Sequence, residues 1–271
     1  MKILKKLSLV AVFLFSLVPC GTLFAVEYNF MISPPPIPWF EFQEGQYDMR
    51  VGATYFNMSG DVEYDGEEQS LKINGGAGSM IARYAFHDQW AIDGGFSFIG
   101  GGGSAGPADI GLAGFSIPID LEFQAVKTDK VSLLFFGGLN YSFVWTGIWF
   151  TDSGGNDTEI QAYANQFGPQ LGAQLSFKTE SLAIAPFLVW QRLSGSASAD
   201  VYYNGSLVSS GSASLPATTM VFYGLDIVFV PVNLTLSTVL QQIMASGDNK
   251  GIRTIIISLS YDFQWGIEEK K

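Results

Sequence analysis

The single histidine of this 271-residue chain, His87, stands beside Asp88. A hydrolase triad needs its imidazole next to a nucleophile. Around His87 the sequence offers only a short polar turn over 87–89, so no catalysis is expected there. Gly101-x-Gly103-x-x-Gly106 matches the letters of a dinucleotide motif. Pro107 and another strand pattern follow it where a helix would have to open, so it reads as a flexible loop. Asp61-x-Glu63-x-Asp65-Gly66 resembles the start of a calcium loop, but Lys72 occupies the place of the bidentate Glu. A solvated acidic hairpin is the reading there. Weak divalent-ion binding by Asp61, Glu63, Asp65, Glu67 and Glu68 is the alternative. No cofactor is expected.

The remaining chemistry-bearing residues take their meaning from the elements that carry them. Residues 255–265 read IIISLSYDFQW. Ile255, Ile257, Leu259, Tyr261, Phe263 and Trp265 fall on one face, and Ser258, Ser260, Asp262 and Gln264 on the other, with Ile256 the one apolar intruder. Successive strand residues point to opposite faces, so this is a long two-faced strand. The same period runs through segments beginning near Tyr47, Met80, Trp90, Phe115, Tyr163, Val221 and Leu234. Residues 131–150 carry no charge and have the length of a membrane helix. Their polar members Ser132, Asn140, Ser142 and Thr146 are all even-numbered, while Leu133, Phe135, Trp145 and Trp149 are odd, which is strand period. Segment 182–194 is apolar on both faces. That makes ten segments.

Connections alternate between short and long. Turns at 87–89, 127–130, 178–181 and 231–233 are tight; those at 61–70, 100–108, 151–158, 194–217 and 246–251 are longer and polar. This is the layout of an antiparallel up-and-down transmembrane β-barrel with both termini in the periplasm. Asp65-Gly66 and Asn204-Gly205 are hairpin turn pairs that should project as β-hairpins. A soluble sandwich would have shorter strands with Lys and Glu on a solvent face. The last strand spans roughly 33 Å at about 3.3 Å per residue, enough to cross a ~25 Å apolar band when tilted. Its apolar face is therefore expected to meet lipid.

Composition and compartment agree. Charged residues make up 14% of the chain and aromatics another 14%, with 31 glycines; ordinary soluble domains are about 25% charged. Residues 1–25 have the basic start, apolar run and small terminal residue, Ala25, of a secretory signal peptide. Its removal takes Cys20, the only cysteine, and leaves 11 basic against 25 acidic residues, a net charge of −14. Nucleic acid is excluded as a partner, because phosphates demand Lys and Arg. Residues 26–45 form a Pro-rich periplasmic lead-in, 46–265 the barrel, and 266–271 a charged tail.

The export signal, the alternating strands and the closing Tyr261-x-Phe263-x-Trp265 resemble the small bacterial outer-membrane β-barrels of the outer membrane protein A and opacity type. The resemblance covers 46–265 as architecture, not as a close match to one protein. It implies an outer-membrane location, with Tyr261, Phe263 and Trp265 as the signal read by the barrel assembly machinery.

By strand parity Asp48, Arg50, Arg83, Asp93, Asp120, Glu122, Asp226 and Asp262 all point into the lumen, in its periplasmic half. Two arginines then face six carboxylates. Unpaired buried charge is costly, so each arginine should be bridged by several acids. One reading is a polar network that fills and locks the barrel, leaving a structural or surface-interaction role to the loops. The other is an acidic constriction in a narrow cation-favouring or small-solute channel. Lys72, Arg192 and Arg253 share the parity of the lipid face near the outer boundary. There they would grip anionic head groups of outer-membrane lipid and glycolipid, or sit solvated at the rim, with Gly75-Gly76 a possible bulge turning Lys72 inward. An extracellular loop partner is expected, its identity open.

Overall fold

The computed structural model describes residues 42–64, 67–151, 154–244 and 253–265. The signal peptide, most of the Pro-rich lead-in, the Asp65-Gly66 turn, the 246–251 connection and the charged tail lie outside the described residues. The described residues form ten strands: β1 (Tyr47–Tyr64), β2 (Glu67–His87), β3 (Trp90–Ala105), β4 (Ala108–Lys127), β5 (Val131–Thr151), β6 (Asp157–Lys178), β7 (Leu182–Tyr203), β8 (Ser206–Phe229), β9 (Leu234–Met244) and β10 (Arg253–Trp265). Each pairs antiparallel with its chain neighbours. β1 also pairs with β10, from Tyr47 opposite Trp265 to Ser59 opposite Arg253, and this closes the ring. Closure leaves no unpaired strand edge, which is what a sheet in hydrocarbon requires.

The faces are inverted relative to a soluble protein. Side chains such as Val51, Ile92, Phe98, Leu139, Leu171 and Leu259 are exposed on the outer wall, whereas Arg50, Arg83 and Glu122 are buried inside. Aromatic rings gather on that wall. Tyr47 stacks on Tyr84 at 4.6 Å, Trp90 lies 4.7 Å from Phe123, and Phe263 stacks on Trp265 at 5.9 Å, all at the end carrying the tight turns. Such rings suit the boundary between hydrocarbon and water.

Of the longer connections, 194–217 forms the hairpin expected at Asn204-Gly205, and 100–108 differs from the expected flexible loop. The 194–217 stretch continues β7 and β8 up to a two-residue turn at Asn204-Gly205, both with positive φ (48° and 77°). That is the conformation a tight hairpin demands and the one Asn and Gly accept most readily. The glycine-rich 100–108 stretch is likewise paired strand, with Gly101 opposite Gly75 and Leu112, and only Gly106 and Pro107 left to turn. A flexible loop is thus corrected to sheet, because closely spaced strands satisfy the backbone that a loop would leave to water. Asp61 and Glu63 also lie on paired strand, opposite Ser70 and Glu68, rather than on a calcium-type loop.

Strand lengths make the wall uneven. β6 has 22 residues and β8 has 24, while β9 has 11. At about 3.3 Å per residue and about 40° of tilt, β6 rises roughly 50 Å, twice the ~25 Å apolar band. The tall side is tied at its top. Asn204 accepts from the Asp157 backbone at 2.9 Å and donates its own N–H to the Asp157 carbonyl at 2.8 Å.

Candidate functional site

Alternation along β1, β2, β3, β4, β8 and β10 turns all eight of the singled-out charges inward, where each is buried. They are gathered by two guanidinium groups. Arg50 on β1 stands directly opposite Asp262 on β10. Its Nε donates to Asp262 Oδ1 at 2.6 Å and its Nη2 to Asp262 Oδ2 at 3.2 Å, a two-pronged pairing of fork and carboxylate. The third nitrogen reaches across the lumen to Asp226 Oδ2 at 3.3 Å on β8. Thr235 on β9 completes the arc: its hydroxyl accepts from Arg50 Nη2 at 3.3 Å and donates to Asp262 Oδ2 at 2.7 Å. One side chain thereby links four neighbouring strands, including the pair that closes the ring.

Arg83 on β2 does the same on the other side. Its Nε donates to Asp48 Oδ2 at 2.9 Å and its Nη1 to Glu122 Oε2 at 3.2 Å. Asp93 lies opposite Arg83 on one flank and opposite Asp120 on the other. Asp48 and Glu122 therefore pair with the Arg83 guanidinium, while Asp93 lies on the strand position opposite it and Asp120 one strand further on. Among the described residues, Asp93 Oδ1, Asp120 Oδ1 and Glu122 Oε1 have no hydrogen-bond donor.

Asp120 continues the network away from the arginines. Gln170 on β6 donates to its Oδ2, and Gln191 on β7 donates to Gln170 Oε1 at 2.6 Å. This chain skips β5. It can do so because Gly138, the β5 residue opposite Asp120, has no side chain; a Cβ there would stand 1.9 Å from the Ile119 carbonyl and 2.6 Å from Asp120 Oδ1.

Two parts of the interior have no counterpart in the sequence reading. The first is Phe42, the first described residue. It is fully buried among Ala85, Ala91 and Leu134, with the Arg83 guanidinium carbon 4.7 Å above its ring. Its N–H donates to Gln124 Oε1 at 3.0 Å, and Lys127 Nζ donates to its carbonyl. Residues 42–46, just before β1, thus enter the mouth of the barrel at the end carrying the tight turns. The second is an apolar layer above the charges. Phe56, Met58, Leu71, Ile73, Ile99, Leu112, Val144, Leu193, Met220, Phe222 and Ile256 belong to one buried cluster drawn from nearly every strand. The doubly apolar 182–194 segment and the intruder Ile256 were its sequence signal.

Other singled-out residues stand apart from this network. Lys72, Arg192 and Arg253 are exposed on the outer wall. The β1–β2 register runs without a shift from Tyr47 opposite Tyr84 to Tyr64 opposite Glu67, so no bulge at Gly75-Gly76 turns Lys72 inward. Tyr261, Phe263 and Trp265 point outward on β10. His87 sits in the β2–β3 turn, its Nδ1 accepting from the Gln89 N–H at 3.2 Å. The side chains of Asp61, Glu63 and Asp65 lie outside the described residues.

No protein-family model matches the chain, and no curated protein matches it in sequence. Solved structures do match in shape. The outer membrane protease OmpT from Escherichia coli superposes with a TM-score of 0.52 at 9% identity, covering 86% of this chain and 99% of that one. The translocator domain of the autotransporter NalP from Neisseria meningitidis gives 0.49 at 12% identity, covering 79% and 88%. Ail, the attachment invasion locus protein of Yersinia pestis, gives 0.30 at 16%, covering 82% and 100%. At such identities the likeness to the protease is one of fold. The molecule is an outer-membrane β-barrel. Its closed ten-strand ring and apolar outer wall require a bilayer, and the up-and-down order is the one bacterial outer-membrane barrels use.

Proposed function

We propose that this outer-membrane β-barrel is a closed barrel, non-conducting and non-enzymatic, that holds a tall strand-built wall above the cell surface for structural support or surface contact. The observation that carries this reading is the stacking of two buried layers inside one ring. The lower layer is ionic and polar, crossed by Arg50, Arg83, Gln170 and Gln191. The upper layer is apolar and drawn from almost every strand. A ring of ten strands lies near the size that side chains fill. A hydrated ion would have to shed most of its water in the apolar layer, where polar side chains such as Gln241 and Thr254 are few.

A narrow cation pore is the second reading, favoured by the unpartnered oxygens of Asp93, Asp120 and Glu122. The apolar layer above them weighs against it. An enzyme is disfavoured because the one histidine lies in a tight turn far along β2 from the wall's open rim. In this reading the long hairpins face outward, and Tyr261, Phe263 and Trp265 serve the assembly machinery during insertion. Cation flux from proteoliposomes tests the reading. Leakage no faster than from protein-free vesicles is expected; sustained, protein-dependent release of potassium would overturn it.

A further inference from the structure

The register gathers two of the three rim cations and leaves the third aside. Ser59 on β1 lies opposite Arg253 on β10 and opposite Lys72 on β2. All three are exposed on the outer wall, so a serine stands between two long cationic side chains on adjacent strands. Neighbouring strands lie about 4.8 Å apart, which puts the two cations' backbones roughly 10 Å from each other, within joint reach of one anion above Ser59. The row continues in register to Gln242 beyond Arg253 and Ser104 beyond Lys72, both exposed and polar.

Just below, toward the apolar band, the same wall carries a small polar knot. Asn74 Oδ1 accepts from the Tyr55 hydroxyl at 2.9 Å and from Asn57 Nδ2 at 2.6 Å. Further down, outward positions turn apolar at Val51, Met80, Leu259 and Ile257. Ser59 lies 12 residues above Tyr47 on β1. At about 2.5 Å of height per tilted residue that places it near 30 Å, just past the ~25 Å apolar band. No described acid forms an ion pair with Lys72 or Arg253.

We infer that Arg253, Ser59 and Lys72 form a binding site for the phosphate of an anionic glycolipid whose acyl chains lie against the outer wall of β10, β1 and β2. The guanidinium supplies a two-pronged grip on phosphate oxygens, the ammonium a mobile point charge, and the serine hydroxyl a third donor. The apolar wall below supplies the surface for the acyl chains, which distinguishes a lipid head group from free phosphate. Arg192 belongs elsewhere. It sits on β7, three strands from Arg253 and about 15 Å round the wall, outside the reach of the same phosphate. The site deepens the reading of an outward-facing hairpin rim, but its binding is read in vesicles and does not depend on which way the barrel faces a cell.

The test is thermal unfolding of the full mature barrel in phosphatidylcholine vesicles. The vesicles are used plain, with bisphosphorylated lipid A, with dephosphorylated lipid A, or with inorganic phosphate in the buffer. The wild type should gain midpoint temperature with the bisphosphorylated lipid alone. Arg253→Gln and Lys72→Gln should each need about tenfold more of it for the same gain, the scale of one charge-assisted hydrogen bond. Arg192→Gln should respond like wild type, and Lys72→Arg should keep the response. Equal responses in all variants would overturn the site, as would a response to inorganic phosphate as strong as to the lipid. So would an equal loss of stability in every vesicle, because these cations would then be neutralising acids of their own hairpin.

Discussion

At the scale of single residues, alternation brings the charges inward and strand register pairs them. Parity in the sequence is enough to place Asp48, Arg50, Arg83, Asp93, Asp120, Glu122, Asp226 and Asp262 on the inner face. It does not say which acid meets which arginine, because that depends on how far each strand is offset from the next. Arg50 takes Asp262 by direct opposition but Asp226 from two strands further on. Removing one partner of a buried pair leaves the others uncompensated, so Arg50→Ala should cost about 3–5 kcal/mol. Loss of the folded, heat-modifiable band at lower temperature on a gel would register it; an unchanged midpoint would mean that Arg50 does not tie β1 to β10. Gly138 offers a sharper probe. Gly138→Ala places a methyl against the Ile119 carbonyl and should cost about 1–3 kcal/mol, whereas Gly94→Ala meets nothing closer than 3.7 Å and should be nearly silent. Equal midpoints for the two variants would contradict the packing described around Asp120.

At the scale of elements, ten strands and their order are legible because period two persists wherever one face meets lipid. The strand ends are not. Above the apolar band the outward face turns to serine and the inward face to Gly and Ala, as in Ser194 to Ala199 on β7, so the contrast between faces shrinks although the pairing continues. That is why the strand pattern gives out near Ser194 although Asn204-Gly205 still marks the hairpin tip. Inside the band the pattern fails in the opposite way: Phe187, Val189 and Leu193 point inward while Leu188 points outward, giving an apolar run with no visible inner face. Phe42 is invisible for a different reason, since a single aromatic before the first strand carries no period. The hairpin assignment has a direct consequence for topology. Cysteine placed at Asn204 should react with a membrane-impermeant maleimide on intact cells, and cysteine at Asp129, in the β4–β5 turn, only after the outer membrane is permeabilised. The reverse pattern would invert the orientation. Protease should cut the β7–β8 hairpin at its tip, if at all, because paired backbone resists cleavage.

At the scale of the whole molecule, the ring joins two interiors of opposite character: a charged lower half held by two arginines and an apolar upper half like the core of a soluble protein. Each half obstructs water differently. The ionic half offers charged sites, and the apolar half only scattered polar side chains such as Gln241 and Thr254. The central claim is that together they close the barrel, and single-channel recording in a planar bilayer tests it most directly. The wild type should insert without conductance steps across the full voltage range. A variant with Phe56, Ile73 and Phe222 replaced by serine, which empties part of the upper layer, should be the one that flickers open. Stable steps from the wild type, with a cation preference that Asp120→Asn and Glu122→Gln abolish, would contradict the closed barrel and make the acidic cluster the filter of a pore.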